Sequence, residues 1–214
     1  ENLSMAAGLP MPKLYVMDDS SPNAFATGRD PKHAVVCATS GLLQRLDRAE
    51  LEGVIAHELS HIKNYDILLA SIVAVLVGTV ALVADLMMRN MWWSGFRRRN
   101  DDRDRGNNPL FFVFMIFIFI ITPIAAMLIQ LAISRKREFL ADADGALLTR
   151  YPEGLARALE KIAADPHPMA SATTSTAHLF ISNPFKKGKE HNWLLGLFST
   201  HPPAEERIKI LRSM

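Results

Sequence analysis

The sequence has little cysteine and little net charge. Its one cysteine, Cys37, excludes a disulfide within the chain. Cys37 lies in the apolar run AVVCAT, which is typical of a buried strand residue rather than of a nucleophile. The net charge of +2 is too small to indicate a nucleic-acid partner, and the arginines at 97–105 are interleaved with aspartates. These features argue against a disulfide scaffold and against a nucleic-acid-binding protein.

Two segments lack charge altogether. Residues 67–84 and 110–134 contain no Asp, Glu, Lys, Arg or His, and as helices they would rise about 27 Å and about 37 Å, enough to cross a bilayer. Pro123 could kink the second segment. In the connecting loop, 89–109, Trp92 and Trp93 suit a membrane interface. The sequence therefore predicts a transmembrane helical hairpin at 67–134, and two buried core helices of a soluble protein are the alternative.

The remaining segments have the mixed charge of a soluble domain, and they predict an α+β fold. Short β-prone runs at 14–17, 23–27 and 34–39 indicate a small mixed or antiparallel sheet. Asp47 is a plausible N-cap for the helical stretch RAELEGVIAHELSHIKNY, because Glu50 three residues on completes a capping box. No proline follows, so this helix is expected to continue into the first apolar segment.

The stretch HELSH in this helix is the strongest chemical signal. His57 and His61 project from one face about one turn apart, so two imidazoles can reach one zinc ion. In HExxH sites the glutamate, here Glu58, takes a proton from the water that the metal activates. The alternative is a surface helix whose histidines are merely solvated.

A catalytic zinc site needs a third protein ligand. The candidates are Glu138, Asp142, Asp66, His33, His167, His178, His191 and His201. If both apolar segments cross the bilayer, the chain returns to the side of His61 before Glu138, and both residues would lie about 6–9 Å of helical rise beyond the hydrocarbon. We therefore expect Glu138 to be the ligand, with Asp142 on its own face able to accept the spare N–H of a ligating histidine. The alternative for Glu138 is an ion pair with Arg135 or Arg137.

Four motifs carry a resemblance to a known family. They are NAFATG at 23–28, HELSHIKNYD at 57–66, REFLADADG at 137–145 and THPPAEER at 200–207. In this combination the chain resembles the HtpX-type membrane zinc endopeptidases, heat-shock proteases related to the type 1 CAAX prenyl proteases.

The resemblance implies a zincin-like domain interrupted by the hairpin, with boundaries at 1–66, 67–134 and 135–214. It implies one zinc ion held by His57, His61 and Glu138, with Glu58 as general base. It further implies quality-control cleavage of membrane proteins in a bacterial inner membrane, with the catalytic portion in the cytoplasm. The resemblance also implies two further spans upstream of Glu1. The chain opens without an initiator methionine or a signal-peptide pattern, so an upstream portion is expected to be missing.

Further residues receive supporting roles, each with an alternative. Asn23, Ala24 and Phe25 resemble the substrate-lining edge strand of gluzincin proteases, although turn formation would also explain Asn23. His201 and Arg207 could stabilise the oxyanion on the attacked carbonyl; helix capping by His201 and surface exposure of Arg207 are the alternative.

Other polar residues near the motifs are less informative. Asp66 is expected to support a ligand, or simply to end the polar part of its helix. His33, His167, His178 and His191 are interpreted as loop histidines rather than ligands.

Two rival hypotheses remain at this stage. One is a non-catalytic membrane scaffold in which zinc, closed off by a fourth side chain such as His201, only stabilises the fold. The other is a soluble protease whose apolar helices form its core. Basic residues occur both in the connecting loop and beside the ligands, so the positive-inside rule does not decide the orientation.

Overall fold

A computed structural model describes residues 1–97, 109–169, 180–181 and 201–214. The chain has a mixed α+β fold with a small sheet and mostly helical content, as predicted. It divides into two compact units, one formed by Glu1–Leu69 with Ala132–Met214 and the other by Ala70–Leu131. The candidate ligands His178 and His191 and the loop residues 98–108 lie outside the described residues.

The first unit contains a three-stranded sheet that follows helix α1 (Asn2–Ala7). Its strands are β1 (Lys13–Met17), β2 (Ala24–Thr27) and β3 (Val35–Thr39), in the order β1-β3-β2. Strand β1 runs parallel to β3, and β2 runs antiparallel to it. A 3-10 turn at Pro31–His33 precedes β3. The mixed sheet is confirmed, and it leaves β2 as an edge strand.

Two helices follow the sheet directly, α2 (Ser40–Arg45) and α3 (Arg48–Lys63). The predicted capping box starts α3: the Glu50 N–H donates to the Asp47 side chain, and the Asp47 N–H donates to the Glu50 side chain, each at 2.9 Å. Helix α3 therefore begins where its sequence predicts.

The expectation that α3 continues into the apolar segment is wrong. The helix ends at Lys63, and Tyr65 adopts a left-handed conformation with φ 56°, which an α-helix cannot contain. A new helix, α4 (Asp66–Arg97), starts one residue later. It includes residues 89–97, which the sequence assigned to the connecting loop, because no proline interrupts that stretch.

The rest of the chain is helical where it is described, apart from short connections. The helices are α5 (Pro109–Thr149), α6 (Pro152–Ala164) and α7 (Ala204–Leu211). Their inner faces join α3 and the sheet in the core of the first unit, which includes Leu42, Val54, Leu155, Leu159, Ile162 and Leu211. Gly53 of α3 permits close packing on α6, because a Cβ there would lie 2.7 Å from the backbone N of Leu155.

One helical segment in the described part of the chain is long and apolar enough to cross a membrane. It is Asp66–Met87, with a mean hydropathy of 2.8 and only 6% of its most apolar window buried. Large apolar side chains such as Val75, Leu76 and Leu82 are exposed along it. Residues 110–134 lie within α5, and the hairpin stays a prediction.

Candidate metal centre

Two imidazoles meet on one face of α3. His57 and His61 are one helical turn apart, with ring centroids 4.6 Å apart and the rings nearly perpendicular. Their Nε2 atoms are separated by 3.1 Å. His57 is fully buried, whereas His61 is partly exposed. The alternative of solvated surface histidines does not fit this placement.

Helix α5 brings a carboxylate to the same point. The Glu138 Oε2 lies 3.7 Å from Nε2 of His57, and its Oε1 lies 3.6 Å from Nε2 of His61. One ligand atom from each of these three residues lies within 4.8 Å of the other two. Gly145 permits this approach, because a Cβ there would lie 3.1 Å from the backbone N of His57.

Each histidine also contacts an aspartate through its Nδ1 atom, on the side of the ring away from Glu138. The Nδ1 of His57 lies 3.0 Å from Asp142 Oδ1, and the Nδ1 of His61 lies 2.8 Å from Asp66 Oδ2. A carboxylate that accepts the Nδ1 proton leaves the Nε2 lone pair free to bind a metal, and it holds the ring in place. Asp66 therefore contacts the second histidine, as expected of a supporting residue, and does not simply end the polar part of its helix.

The donor set fits a zinc ion. Two donors held about 2.0–2.1 Å from one tetrahedral zinc lie about 3.3 Å apart. The two Nε2 atoms are 3.1 Å apart, and each lies 3.6 or 3.7 Å from a different oxygen of Glu138. If each Nδ1 carries the proton that faces its carboxylate, the two Nε2 lone pairs point at one another across 3.1 Å, and a metal ion between them would remove their repulsion. The chemistry of this set, two imidazoles and one carboxylate, is that of a catalytic zinc site.

Two of the other candidate histidines, His33 and His167, pair with aspartates away from the centre. Nδ1 of His33 lies 2.8 Å from Asp30, and Nδ1 of His167 lies 3.1 Å from Asp165. His201 lies beside the centre, with Nδ1 3.3 Å from Glu138 Oε2, but among the described residues the group that could hold a metal has three members and excludes it. Helix capping by His201 is wrong, because the N-cap residue of α7 is Pro203.

Arg207 is buried at the back of the centre. Its Nε and Nη2 donate to both carboxylate oxygens of Asp142 at 2.8 and 2.7 Å, and its Nη1 donates to the carbonyl of Ile181 at 3.2 Å. The guanidinium is only 2% exposed, so the alternative of a surface arginine is wrong. The sequence predicted neither its partner Asp142 nor its burial.

Burial and these contacts set the charges of the centre. Burial lowers the pKa of His57 despite the hydrogen bond to Asp142, which favours the neutral ring that a metal requires. Burial alone would raise the pKa of Glu138, but His201 and the Arg207 guanidinium hold that pKa well below its usual value. Glu138 is therefore a carboxylate, ready to bind a cation.

Glu58 has a different environment from Glu138. It is 2% exposed, and burial raises its pKa to about 7. The nearby backbone N–H of Ala26, on edge strand β2, opposes part of this rise in the pKa. A carboxyl group with a pKa near neutrality can both accept and return a proton.

The predicted substrate edge lies on β2 and is contacted by the chain itself. The side-chain amide oxygen of Asn23 accepts from the N–H of Ala24 at 3.1 Å. The carbonyl of Ala24 accepts from the N–H of Ile181 at 3.0 Å, and Phe25 packs edge-to-face on Phe180 with ring centroids 5.2 Å apart. No sequence signal indicated that residues 180–181 reach this strand.

Sequence reasoning also missed Arg137. The sequence suggests only an ion pair with Glu138, its neighbour in sequence. In the structure, its Nη2 donates to Asp66 and to the backbone carbonyl of Asn64. The signal available was the order of charges, with Asp66 opening one apolar helix and Arg137 following the other.

Comparison with known proteins gives consistent matches. Residues 1–214 match the sequence profile described as Peptidase family M48. The chain is 54% identical over 214 residues to a Protease HtpX homolog of Tropheryma whipplei (strain Twist), covering 100% of this chain and 70% of that relative. It is also 54% identical over 215 residues to a Protease HtpX homolog of Thermoanaerobacter pseudethanolicus, with the same coverage.

A solved structure has a similar fold. The crystal structure of S. mikatae Ste24p matches with a TM-score of 0.61 and 23% sequence identity, over 98% of this chain and 48% of that one. The chain therefore spans about half the length of Ste24p, and at this identity the likeness concerns the fold alone.

Proposed function

The chain belongs to peptidase family M48, and from that premise we propose that this metalloprotease is a membrane-embedded, zinc-dependent endopeptidase. Its substrates are exposed segments of misfolded or damaged membrane proteins. The main support is the donor set of His57, His61 and Glu138, whose ligand atoms all lie within 4.8 Å of one another.

The three donors would hold the zinc ion and leave a fourth position open. When bound, the ion supplies Lewis acidity at the peptide carbonyl and activates a water molecule. Asp142 and Asp66 keep the imidazole rings in their ligating orientation through Nδ1.

Glu58 performs the proton transfers in this proposal. Its carboxylate accepts the proton of the attacking water and then passes it to the amine that leaves. A pKa near 7 suits both directions of transfer.

The contacts and the exposure of His201 and Arg207 differ, and this bears on the oxyanion role proposed for both. Arg207 donates to Asp142 and to the carbonyl of Ile181, and its Nη1 also lies 3.3 Å from Oε2 of Glu138. The His201 ring is 11% exposed and lies 3.3 Å from Glu138. We propose that His201 donates to the oxyanion of the transition state, while Arg207 acts through Asp142.

Strand β2 is the proposed docking edge for the peptide, through Asn23, Ala24 and Phe25. An exposed edge binds an extended peptide through backbone hydrogen bonds. Ile181 already donates to the carbonyl of Ala24. Peptide pairing at this carbonyl therefore requires that Ile181 be displaced.

The mechanism is tested by Glu58→Gln. Glutamine cannot accept the proton, so we expect casein cleavage to fall by about 10²-fold or more, with zinc still bound stoichiometrically. Glu52→Gln, at an exposed position of the same helix, is the matched control and should cleave at the wild-type rate. Wild-type cleavage by Glu58→Gln would refute the assigned base.

The same preparation separates the enzyme from the scaffold hypothesis. Wild-type protein that binds one zinc ion but shows no chelator-sensitive cleavage would favour a structural zinc site in a membrane scaffold. Three donors in the described residues, with His201 outside the group, support the open catalytic site.

The membrane location is proposed from the apolar helices. Residues 67–134 would form the inserted hairpin between the catalytic segments 1–66 and 135–214, in a bacterial inner membrane with the catalytic portion in the cytoplasm. The exposed apolar surface of Asp66–Met87 supports this. Extraction of membranes at alkaline pH tests it: the chain should stay in the pellet, and release into the supernatant would support a soluble protease.

A further inference from the structure

We propose that Arg137 is a positioning residue for the metal centre: by holding Asp66, it fixes the ring of His61 in its ligating orientation. This inference rests on the proposed zinc site and adds a residue to it.

The contacts form a continuous chain from Arg137 to the metal donors. The Nη2 of Arg137 donates to Asp66 Oδ1, and the other oxygen of Asp66 lies 2.8 Å from Nδ1 of His61. The same Nη2 donates to the carbonyl of Asn64 at 3.0 Å. The side chain of Asp66 is 10% exposed and that of Arg137 is 25% exposed, so solvent screens these charges only partly.

The break after α3 explains why Asp66 needs such a partner. In a continuous helix, at about 100° per residue, Asp66 would lie about 140° around the axis from His61 and could not reach its ring. The left-handed Tyr65 redirects the chain so that Asp66 faces back toward His61. The N–H of Tyr65 donates to the carbonyl of Ile62 at 3.2 Å across this turn, and Arg137 bonds to the residues on both sides of Tyr65, Asn64 and Asp66.

Helix α5 thus contributes more than the third ligand. Arg137 precedes Glu138 directly, and Asp144 of the same helix accepts from the side-chain amide of Asn64 at 2.6 Å. The break after α3 is therefore held to α5 at two points. Helix α5 therefore positions both Glu138, which would bind the metal, and Arg137, which holds the aspartate that contacts His61.

The arrangement parallels the one behind His57. There, Arg207 donates to both oxygens of Asp142, which in turn lies 3.0 Å from Nδ1 of His57. Each metal-facing histidine therefore has a carboxylate behind it, and each carboxylate has an arginine. The Arg137–Asp66 pair is the more exposed of the two, so its removal is less damaging to the fold and can be tested.

The test is zinc affinity, measured on the full chain in detergent by competition with a chromogenic chelator. Arg137→Met keeps the unbranched stem but removes the donors, and it should raise the zinc Kd about 10-fold, the lower end of the range for such supporting residues. Arg137→Lys, which keeps the charge and a donor, should recover most of the affinity. The matched control is Lys136→Met, an exposed neighbour with the same charge, and its Kd should stay within twofold of wild type.

Two further measurements separate positioning from a general loss of stability. The visible spectrum of the cobalt-substituted protein should shift in Arg137→Met, because the ring of His61 changes its orientation, and it should not shift in Lys136→Met. In an Asp66→Asn background, Arg137→Met should weaken zinc binding little further, since both changes break the same chain of contacts.

The proposal is overturned if Arg137→Met binds zinc within twofold of wild type, or if Lys136→Met weakens binding equally. Should Arg137→Met not fold by circular dichroism, Arg137→Gln replaces it, with a smaller rise in Kd expected and an unchanged Kd overturning the proposal. A wild-type chain that binds no zinc would instead refute the metal centre itself, so the two failures are distinguishable.

Discussion

Replacing Arg207 by methionine should destabilise the fold strongly, because it leaves a buried charge without its partner. Arg207 and Asp142 are 2% and 1% exposed, and two hydrogen bonds of 2.7 and 2.8 Å join them. The Arg207 charge outweighs burial and keeps the pKa of Asp142 below its usual value, so Asp142 is a carboxylate at neutral pH. Removing one member of a buried pair costs about 3–5 kcal/mol.

The expected loss is measurable by thermal unfolding. For a domain of this size, 1 kcal/mol corresponds to about 2–4 °C in Tm, so Arg207→Met should lower the Tm by about 10 °C. The metal is removed with a chelator first, since bound zinc would add its own stabilisation. Arg212→Met is the control: Arg212 also binds two carboxylates, those of Glu153 and Glu160, but on the surface, where ion pairs contribute little.

A double variant identifies the cause of the loss. Arg207→Met leaves two buried carboxylates without the guanidinium, those of Asp142 and Glu138. Adding Asp142→Asn removes one of these charges, so the double variant should be more stable than Arg207→Met alone. Equal Tm values for Arg207→Met and Arg212→Met would refute the reasoning. A double variant no more stable than the single one would show that the unpaired charge of Asp142 does not cause the loss.

Two other stability predictions follow from the packing and the capping of α3. Gly53→Ala places a methyl group 2.7 Å from the backbone of Leu155, so we expect a loss of about 1–3 kcal/mol in chemical denaturation. Gly78→Ala, with nothing within 4 Å, should be no less stable than wild type, because alanine is the better helix former. Equal behaviour of the two variants would contradict the close packing. Asp47→Ala removes the acceptor for the Glu50 N–H, 2.9 Å away. It should lower the free energy of unfolding by about 1 kcal/mol in the same assay. An unchanged midpoint would show that this cap does not stabilise α3.

The family resemblance drawn from four motifs is confirmed by the match over the whole chain. The strands near 14–17, 23–27 and 34–39 and the start of α3 at Asp47 were also predictable. Strand patterns, capping boxes and HExxH spacing depend on residues a few positions apart, so they are visible in sequence.

Other features of the site could not be read from the sequence. A lone left-handed residue such as Tyr65 has no composition signal, since tyrosine rarely adopts this conformation. The contacts of Arg207 with Asp142 and of Ile181 with Ala24 join residues 65 and 157 positions apart. No local pattern encodes which distant residues pack together.

The sequence by itself determined the family, the α+β class and the one-turn spacing of His57 and His61, because these depend on motifs and on helix periodicity. Only the tertiary structure decided how the donors are supported: a break in the chain turns Asp66 back toward His61, and two arginines hold the two aspartates. The physical reason is that a hydrogen-bond network behind a metal site is set by the packing of separate helices, and that packing depends on the whole core rather than on any one segment.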